Sequence, residues 1–352
     1  MRVAVVSMLT TYHLETGATR RTRRVAEQLA ARGHEVTILC TQWWDGDIDA
    51  FERNGVTYRA VTRVPAAGTF ATRLPRALFG LSPDVVHASN HPPSAAATAC
   101  TAGTFLRTPV LVDWWRDHDD DGEFAYRRVA RGADGVFAPS RMIETDVREH
   151  GAKDEAVDVV PESIDMSLVR ETPADDRADI VYARELDRHA NVESFLLALA
   201  ELRTRGWRAA VIGDGPARSD AESMARDLRI DHRVDFLGEC SAEQRVAVCK
   251  GAHVFVQTAD REPFATNLLR ALACGCVGIV EYQAASSAHE LVEGCPRGVR
   301  VTSPQEIADE IAAASDVAHA TVNDDFEDYD HHAVLERYLD AYRAALGEYG
   351  LL

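Results

Sequence analysis

The chain has 352 residues, with 38 Lys and Arg against 56 Asp and Glu, a formal net charge of −18. An apolar fraction of 46 % beside 27 % charged residues is a globular balance and excludes a disordered, collagen-like or coiled-coil chain. The length suggests about two domains, and the surplus of carboxylates argues against nucleic acid as a partner, because phosphates need a basic surface.

Residues 2–8 read as a short apolar strand. A loop carrying Gly17 follows, then a helix from about 18 to 31, stopped at Gly33 because glycine accepts positive φ. Strand 35–40 completes a β–α–β unit of a parallel sheet. Further strands are predicted at 85–88, 110–112, 135–138 and 157–160. The polar, proline-bearing stretch 171–178 reads as a linker.

The pattern then restarts with strand 179–183, helix 192–205, strand 209–212, the loop Gly213-Asp-Gly-Pro216 and helix 218–228. Strand 234–237, helix 242–250, strand 254–257, helix 266–273 and strand 277–280 continue it, and 334–346 form a terminal amphipathic helix. The expected fold class is therefore α/β, with two Rossmann-like doubly wound domains over 1–170 and 171–325. Residues 326–352 would be a helix packing back on the first. Ligands of such sheets bind beyond the carboxyl ends of the strands, so a cleft between the two halves is the expected site.

The most informative segment is Asp260-Arg-Glu-Pro-Phe-Ala-Thr-Asn-Leu-Leu-Arg-Ala-Leu-Ala-Cys-Gly-Cys276. A strand ends near Gln257, a loop carries Glu262 outward, and a helix starts at once. Its first turn offers amides around Ala265, Thr266 and Asn267, a natural anion site. Leu268, Leu269, Ala271 and Leu272 bury the helix. Thr266, Asn267 and Arg270 share another face by their spacing.

This segment resembles the nucleotide-sugar site of the retaining GT-B glycosyltransferases of the family 4 type (glycosyl transferases group 1), which carry Glu-Pro-Phe-Gly, a second Glu eight residues after the first, then Ala-x-Gly. Other landmarks agree in order. They are Arg32-Gly-His-Glu-Val36, Pro83-Asp-Val-Val-His87, Ala138-Pro-Ser140, Val160-Pro-Glu-Ser-Ile-Asp165, Ile212-Gly-Asp-Gly-Pro216 and Val234-Asp-Phe-Leu-Gly238. The resemblance implies a GT-B fold and transfer of a hexose-type sugar, with retention, from a nucleotide sugar to a glycan or a polyprenyl- or dolichyl-phosphate-linked acceptor. It implies Glu262 as the carboxylate near the donor sugar and Arg184 as the diphosphate-binding arginine. Ala265, Thr266 and Asn267 would supply backbone donors. Gly17, Gly213 and Gly215 would lie in glycine loops beside the donor. No cofactor and no metal are expected. The alternatives are a catalytically degenerate GT-B protein acting as a partner subunit, and a sugar-nucleotide 2-epimerase-like enzyme.

The sequence departs from the pattern at definite places. The second Glu is Arg270, which has no acceptor for a ribose diol. The lysine expected six residues after Arg184 is Ala190, with Arg188 and His189 beside it. The usual histidine falls near Trp115, where the chain reads Asp113-Trp-Trp-Arg-Asp-His118. His118 is a candidate catalytic residue by its place after the Arg-Asp pair. Arg270 is expected to take over neutralisation of the donor phosphates.

Weaker signals remain. Lysine occurs only at Lys153 and Lys250, so 36 of the 38 cations are arginine. That bias, with the carboxylate excess, predicts the high-salt cytosol of a haloarchaeal cell, where an anionic surface stays hydrated. Arg20, Arg21, Arg23 and Arg24 are expected to face outward or toward the cleft, either as a solvated face or, in the functional reading, in contact with a phosphorylated lipid acceptor or an anionic membrane surface, peripherally at the inner face of the membrane. Asp117-His-Asp-Asp-Asp121 reads as a solvated loop, not a metal site. Trp43, Trp44, Trp114 and Trp115 are either core or an acceptor groove. The seven cysteines form no Cys-x-x-Cys pair and read as reduced thiols of a cytoplasmic protein. The start is too short and too weakly apolar for a signal peptide, and no run reaches the ~20 apolar residues of a membrane span.

Overall fold

The computed structural model describes residues 1–115 and 122–350. The chain forms two compact units, Met1–Glu162 with His332–Leu352, and Ser163–His331. The stretch 171–178, read above as the linker, lies inside the second unit. There the Asp175 N–H donates to the carbonyl of Ala247.

The first unit runs β1 Arg2–Val6, α1 Gly17–Ala31, β2 Glu35–Thr41, β3 Ala50–Arg53, β4 Val56–Thr62, α2 Ala67–Leu81, β5 Val85–Ser89, α3 Pro93–Leu106, β6 Val110–Asp113, α4 Glu123–Gly132, β7 Gly135–Ala138, α5 Arg141–Glu149 and β8 Val157–Val159. Its eight strands lie in the order β3-β4-β2-β1-β5-β6-β7-β8. All pairs are parallel except the edge pair β3–β4. A parallel sheet covered on both faces needs strands that are apolar throughout, and β5 and β6 are buried at every position. One face carries α2 to α5 over Phe70, Leu74, Leu78, Val129 and Val147. The other carries α1 and the C-terminal helix His331–Glu348, which buries Val334, Leu335, Tyr338, Leu339 and Tyr342. Thr16 and Thr19 close α1 with a capping box, a device of about 1 kcal/mol.

The second unit runs α6 Met166–Glu171, β9 Ile180–Ala183, α7 Val192–Glu201, β10 Ala209–Ile212, α8 Arg218–Asp227, β11 Val234–Gly238, α9 Ala242–Gly251, β12 Val254–Gln257, β13 Arg261–Glu262, α10 Thr266–Ala273, β14 Val277–Glu281, β15 Ala285–Ser286, α11 His289–Val292, β16 Gly298–Val301 and α12 Pro304–Ala313. Six strands make an all-parallel sheet in the order β11-β10-β9-β12-β14-β16. Its core gathers Tyr182, Phe195, Leu199, Val211, Val256 and Ile279. Lys250 is buried at the end of α9. Its Nζ donates to the carbonyls of Val169, Arg170 and Thr172 at 2.8, 3.3 and 2.5 Å, where α6 ends.

The seven cysteines are free, and all but Cys240 and Cys295 are buried. Burial pushes the Cys40 and Cys100 thiols up to about 12 and Cys249 to about 11, so these behave as inert apolar groups. Among the described residues, no helix is long and apolar enough to cross a membrane.

Candidate active site

In a doubly wound sheet, the crevice lies at the carboxyl ends of the strands where the order reverses. In the second unit those strands are β9 and β12. Arg184 leaves the sheet directly after β9, and Glu262 follows β12 on the short strand β13. Backbone pairing fixes the carboxylate. β13 pairs with β15, the Ser287 N–H donates to the Glu262 carbonyl at 2.9 Å, and the Ser287 hydroxyl donates to the Pro263 carbonyl at 2.7 Å.

Arg184 Nη1 donates to Glu262 Oε2 in a direct ion pair. Asp187 Oδ1 lies 3.7 Å from Arg184 Nη2. Arg184 Nε is buried and has no hydrogen-bond partner among the described residues. A buried unpaired donor costs about 1–3 kcal/mol, yet 15 % of this side chain and 18 % of Glu262 remain exposed, so a ligand can reach the pair. Burial pushes the Glu262 carboxyl above the usual carboxylate range, against the opposing pull of Arg184. Burial alone would lower the Arg184 guanidinium. The Glu262 carboxylate outweighs it, and the group is held firmly charged.

Helix α10 opens one turn beyond Glu262. Ala265 is its N-cap and supplies no side-chain cap. The Thr266 N–H is taken by the Phe264 carbonyl at 3.0 Å, so one of the three amides expected to face an anion is spent. Asn267 instead works through its side chain. Its Nδ2 donates to the Ala183 carbonyl at 2.9 Å, and its Oδ1 accepts from Arg270 Nη1 at 2.6 Å. Arg184, Asn267 and Arg270 thus gather around the end of β9. Gly275, at φ +86°, stops the helix.

At Gly213 and Gly215 the structure shows a close approach of backbone to backbone. The Gly213 N–H donates to the Gly238 carbonyl at 2.8 Å, and the Gly215 N–H to Asp214 Oδ1 at 2.8 Å, so neither amide is spare. A Cβ at 213 would sit 1.9 Å from the Arg184 carbonyl oxygen, and one at 215 would sit 2.5 Å from that of Leu186. These glycines let one loop lie against the turn that carries Arg184. Beside it, Arg188 donates to His189 Nε2 at 2.9 Å, and His189 Nδ1 lies 2.8 Å from Asp260 Oδ1.

In the first unit the reversal lies between β1 and β5. Gly17 opens α1 itself, and a Cβ there would stand 2.4 Å from Trp115 Cζ2. Its glycine identity therefore lets that indole pack against the start of α1. Arg21, expected to face outward or toward the cleft with its neighbours, is instead enclosed within the first unit. Its side chain is 3 % exposed. Nε donates to both Asp113 oxygens at 2.8 and 2.9 Å, Nη1 to the Pro161 carbonyl at 3.0 Å and Glu162 Oε1 at 3.3 Å, and Nη2 to the Val160 carbonyl at 2.7 Å. The Tyr338 hydroxyl reaches Asp113 at 3.4 Å, and His87 lies 3.5 Å from the same carboxylate. Arg24 pairs with Glu162, Arg23 approaches Glu27 at 3.9 Å, and Arg20 approaches Glu15 at 3.9 Å.

Of the tryptophans, Trp114 is core and donates to Asp146, while Trp43 stacks on Tyr12 with ring centres 3.9 Å apart. His118 and the Asp117–121 run lie outside the described residues, as does Arg116. Among the described residues, no group of His, Cys, Asp and Glu is arranged to hold a metal ion.

Sequence reasoning missed several polar groups. Gln257, a buried polar residue ending an apolar strand, acts to lower the Glu262 carboxyl against its burial. Asp187 stands three residues after Arg184. In the first unit, His13 Nε2 and Asn90 Nδ2 are buried without hydrogen-bond partners among the described residues. Polar residues at the carboxyl ends of apolar strands were the available signal.

Residues 16–162 match the glycosyl transferase 4-like domain family, and residues 167–317 match glycosyl transferases group 1. With the fold and the switch-point cluster, this defines a protein of the GT-B glycosyltransferase class. More particularly, the glycosyl transferase 4-like match falls within the first unit and the group 1 match within the second. Solved structures agree in fold. Sucrose-phosphate synthase from Thermosynechococcus elongatus is 17 % identical, with a TM-score of 0.77 and 99 % of each chain covered. The Anabaena protein HepE in complex with UDP is 17 % identical, with a TM-score of 0.78, over 98 % of this chain and 100 % of that one. The lipopolysaccharide outer core galactosyltransferase WaaB is 18 % identical, with a TM-score of 0.73, over 98 % and 99 %. At these identities the likeness is one of fold. No curated protein sequence matches significantly.

Proposed function

We propose that the protein transfers a hexose-type sugar from a nucleotide sugar to a glycan or a polyprenyl- or dolichyl-phosphate-linked acceptor, with retention and without a metal. The observation that carries this is Arg184, a buried guanidinium paired to Glu262 and keeping an unused Nε–H at the switch point of the second unit. When a glycosyl bond breaks, the departing nucleoside diphosphate gains negative charge, and fixed donors aimed at that charge are usually the largest catalytic contribution. Arg184 supplies one such donor. The uncapped start of α10 supplies a positive helix end. Arg270, tethered through Asn267, brings a second guanidinium in place of the carboxylate that would read a ribose diol. Glu262 holds Arg184 in place and offers its other oxygen to hydroxyls of the donor sugar. A solved relative of this fold carries UDP, so UDP-sugars are the first donors to try.

In the first unit, His13 and Asn90, in the segments that follow β1 and β5, have spare buried polar atoms and are our candidates for acceptor contacts. Burial lowers the His13 imidazole, which keeps it neutral and able to hydrogen-bond hydroxyls.

The test is incubation with UDP-, GDP- and dTDP-sugars, with and without a lipid-phosphate acceptor, in buffer containing molar KCl. Acceptor-dependent release of nucleoside diphosphate supports transfer. Release or epimerisation without acceptor points to an epimerase-like enzyme. No release and no thermal shift with any donor leaves a non-catalytic scaffold. Arg270→Ala should raise the donor KM or abolish turnover, and Arg270→Glu should not rescue it. Unchanged kinetics for Arg270→Ala remove that residue from the proposal.

A further inference from the structure

Helices α2, α3 and α4 pack side by side on one face of the first unit's sheet. Their outer surface is unlike the rest of the chain. The three most exposed large apolar side chains among the described residues are Phe105 at 85 %, Phe124 at 80 % and Phe79 at 72 %, one on each helix. α2 and α4 also carry exposed arginines. Arg73 and Arg76 lie one turn apart on α2, and Arg128 and Arg131 one turn apart on α4, following Phe124 at i+4 and i+7. No carboxylate among the described residues lies within ion-pair distance of these four. Arg128 Nη2 reaches across to Thr101 on α3 at 3.4 Å, so the two helices present one continuous surface.

The scarcity of acid here is the second observation. The chain has 56 carboxylates in 352 residues, yet the 15, 14 and 10 residues of these helices hold one, Glu123, which is paired with Arg127. The arginines of α1, by contrast, each meet an acid. Protruding aromatic rings among unpaired cations suit a layer with an apolar interior and an anionic rim. Phenylalanine partitions below the headgroups, and guanidinium groups fork onto phosphates. An acidic protein would satisfy the cations but would not call for three rings standing free in solvent.

We propose that the outer face of α2, α3 and α4 is a docking surface for a membrane carrying anionic phospholipid. This assigns peripheral attachment to a different face from the α1 arginines, and it does not depend on the transferase reading.

The experiment is flotation of the full chain with vesicles of phosphatidylcholine alone, or with an equal part of phosphatidylglycerol, at the lowest salt that preserves the native circular dichroism. Two variants are compared with wild type, R73S/R76S/R128S/R131S and F79S/F105S/F124S, each checked for native melting. R20S/R23S serves as the control. The expected result is binding to anionic vesicles only, weakened about tenfold or more in both variants and unchanged in the control. Equal binding to neutral vesicles, absence of binding to either, or undiminished binding by the variants overturns the proposal. So does equally tight capture by soluble polyglutamate, which would reassign the face to an acidic protein. Because turnover is not the readout, failure here leaves the proposed activity standing, and the reverse also holds.

Discussion

Each unit has an arginine at the carboxyl end of its sheet, and the two are held in opposite ways. Arg21 of the first unit is saturated, with every bonding nitrogen committed to Asp113, Glu162 or a carbonyl of residues 160 and 161. Arg184 of the second is left incomplete, with one carboxylate in direct contact and one buried N–H unused. Both guanidiniums are raised by their carboxylates against the cost of burial. What differs is the unspent capacity. A saturated buried charge ties elements together, whereas an unsaturated one keeps a donor uncommitted.

The comparison breaks most sharply at Arg21. Arg21→Met removes the counter-charge of two buried carboxylates and should destabilise the protein by about 3–5 kcal/mol, the cost of leaving a buried charge unpaired. Urea unfolding measures it, and a loss under about 1 kcal/mol would show the cluster to be ornamental. Arg184→Met should cost much less, because the Glu262 carboxyl, already raised by burial, can take up a proton when its partner is lost, and a spare buried donor is removed as well. Its effect should appear as a loss of about tenfold to a hundredfold in affinity for UDP or whichever diphosphate binds, worth about 1.5–3 kcal/mol, read by titration calorimetry. If Arg184→Met unfolds the protein and Arg21→Met weakens the nucleotide, the two roles have been assigned the wrong way round.

A finer test uses pH. Burial alone would raise Asp113, but the Arg21 guanidinium holds it below the ordinary carboxylate range. A lowered folded-state value means the contribution is complete above the unfolded value of about 3.9 and is lost as pH falls through the folded one. Wild type should therefore lose stability below about pH 4 more steeply than Asp113→Asn. Parallel acid slopes would remove Asp113 as the source. The smallest expected effect concerns salt. The first unit has 21 Lys and Arg against 25 Asp and Glu, and the second has 17 against 31. Raising KCl from about 0.1 to about 1 M shortens the screening length from about 10 to 3 Å, so amide exchange should slow more in the second unit. Equal slowing in both would undo the link between charge and salt response.

Much of the second unit was legible. Its strands are short apolar runs between glycines, and helix 266–273 has an amphipathic pattern with a glycine stop, so the structure repeats those bounds. The first unit hid more. The edge strand β3 and its neighbour β4 are half polar, α2 contains Pro75 in its interior, and α3 is an alanine-rich run with no clear apolar stripe to read. Arg21 was misread because its neighbours in sequence are also arginines. Its spacing of four residues from Val25 places it on the buried face, a signal that charge counting masked. At the candidate site, Glu262 and Arg184 were legible as residues, but their pairing was not, because it joins strands 78 positions apart. For the glycines at 213 and 215, close approach of backbone to backbone leaves no sequence mark distinct from approach to a phosphate.

Lys250 is one of two lysines in a chain that uses arginine everywhere else, and it sits where three backbone oxygens converge within 3.3 Å of a single nitrogen. An ammonium can serve three acceptors from one point. The flat fork of a guanidinium spreads the same donors sideways and would overrun that pocket. The residue therefore marks a spot where shape, more than charge, fixes which cation the chain can use.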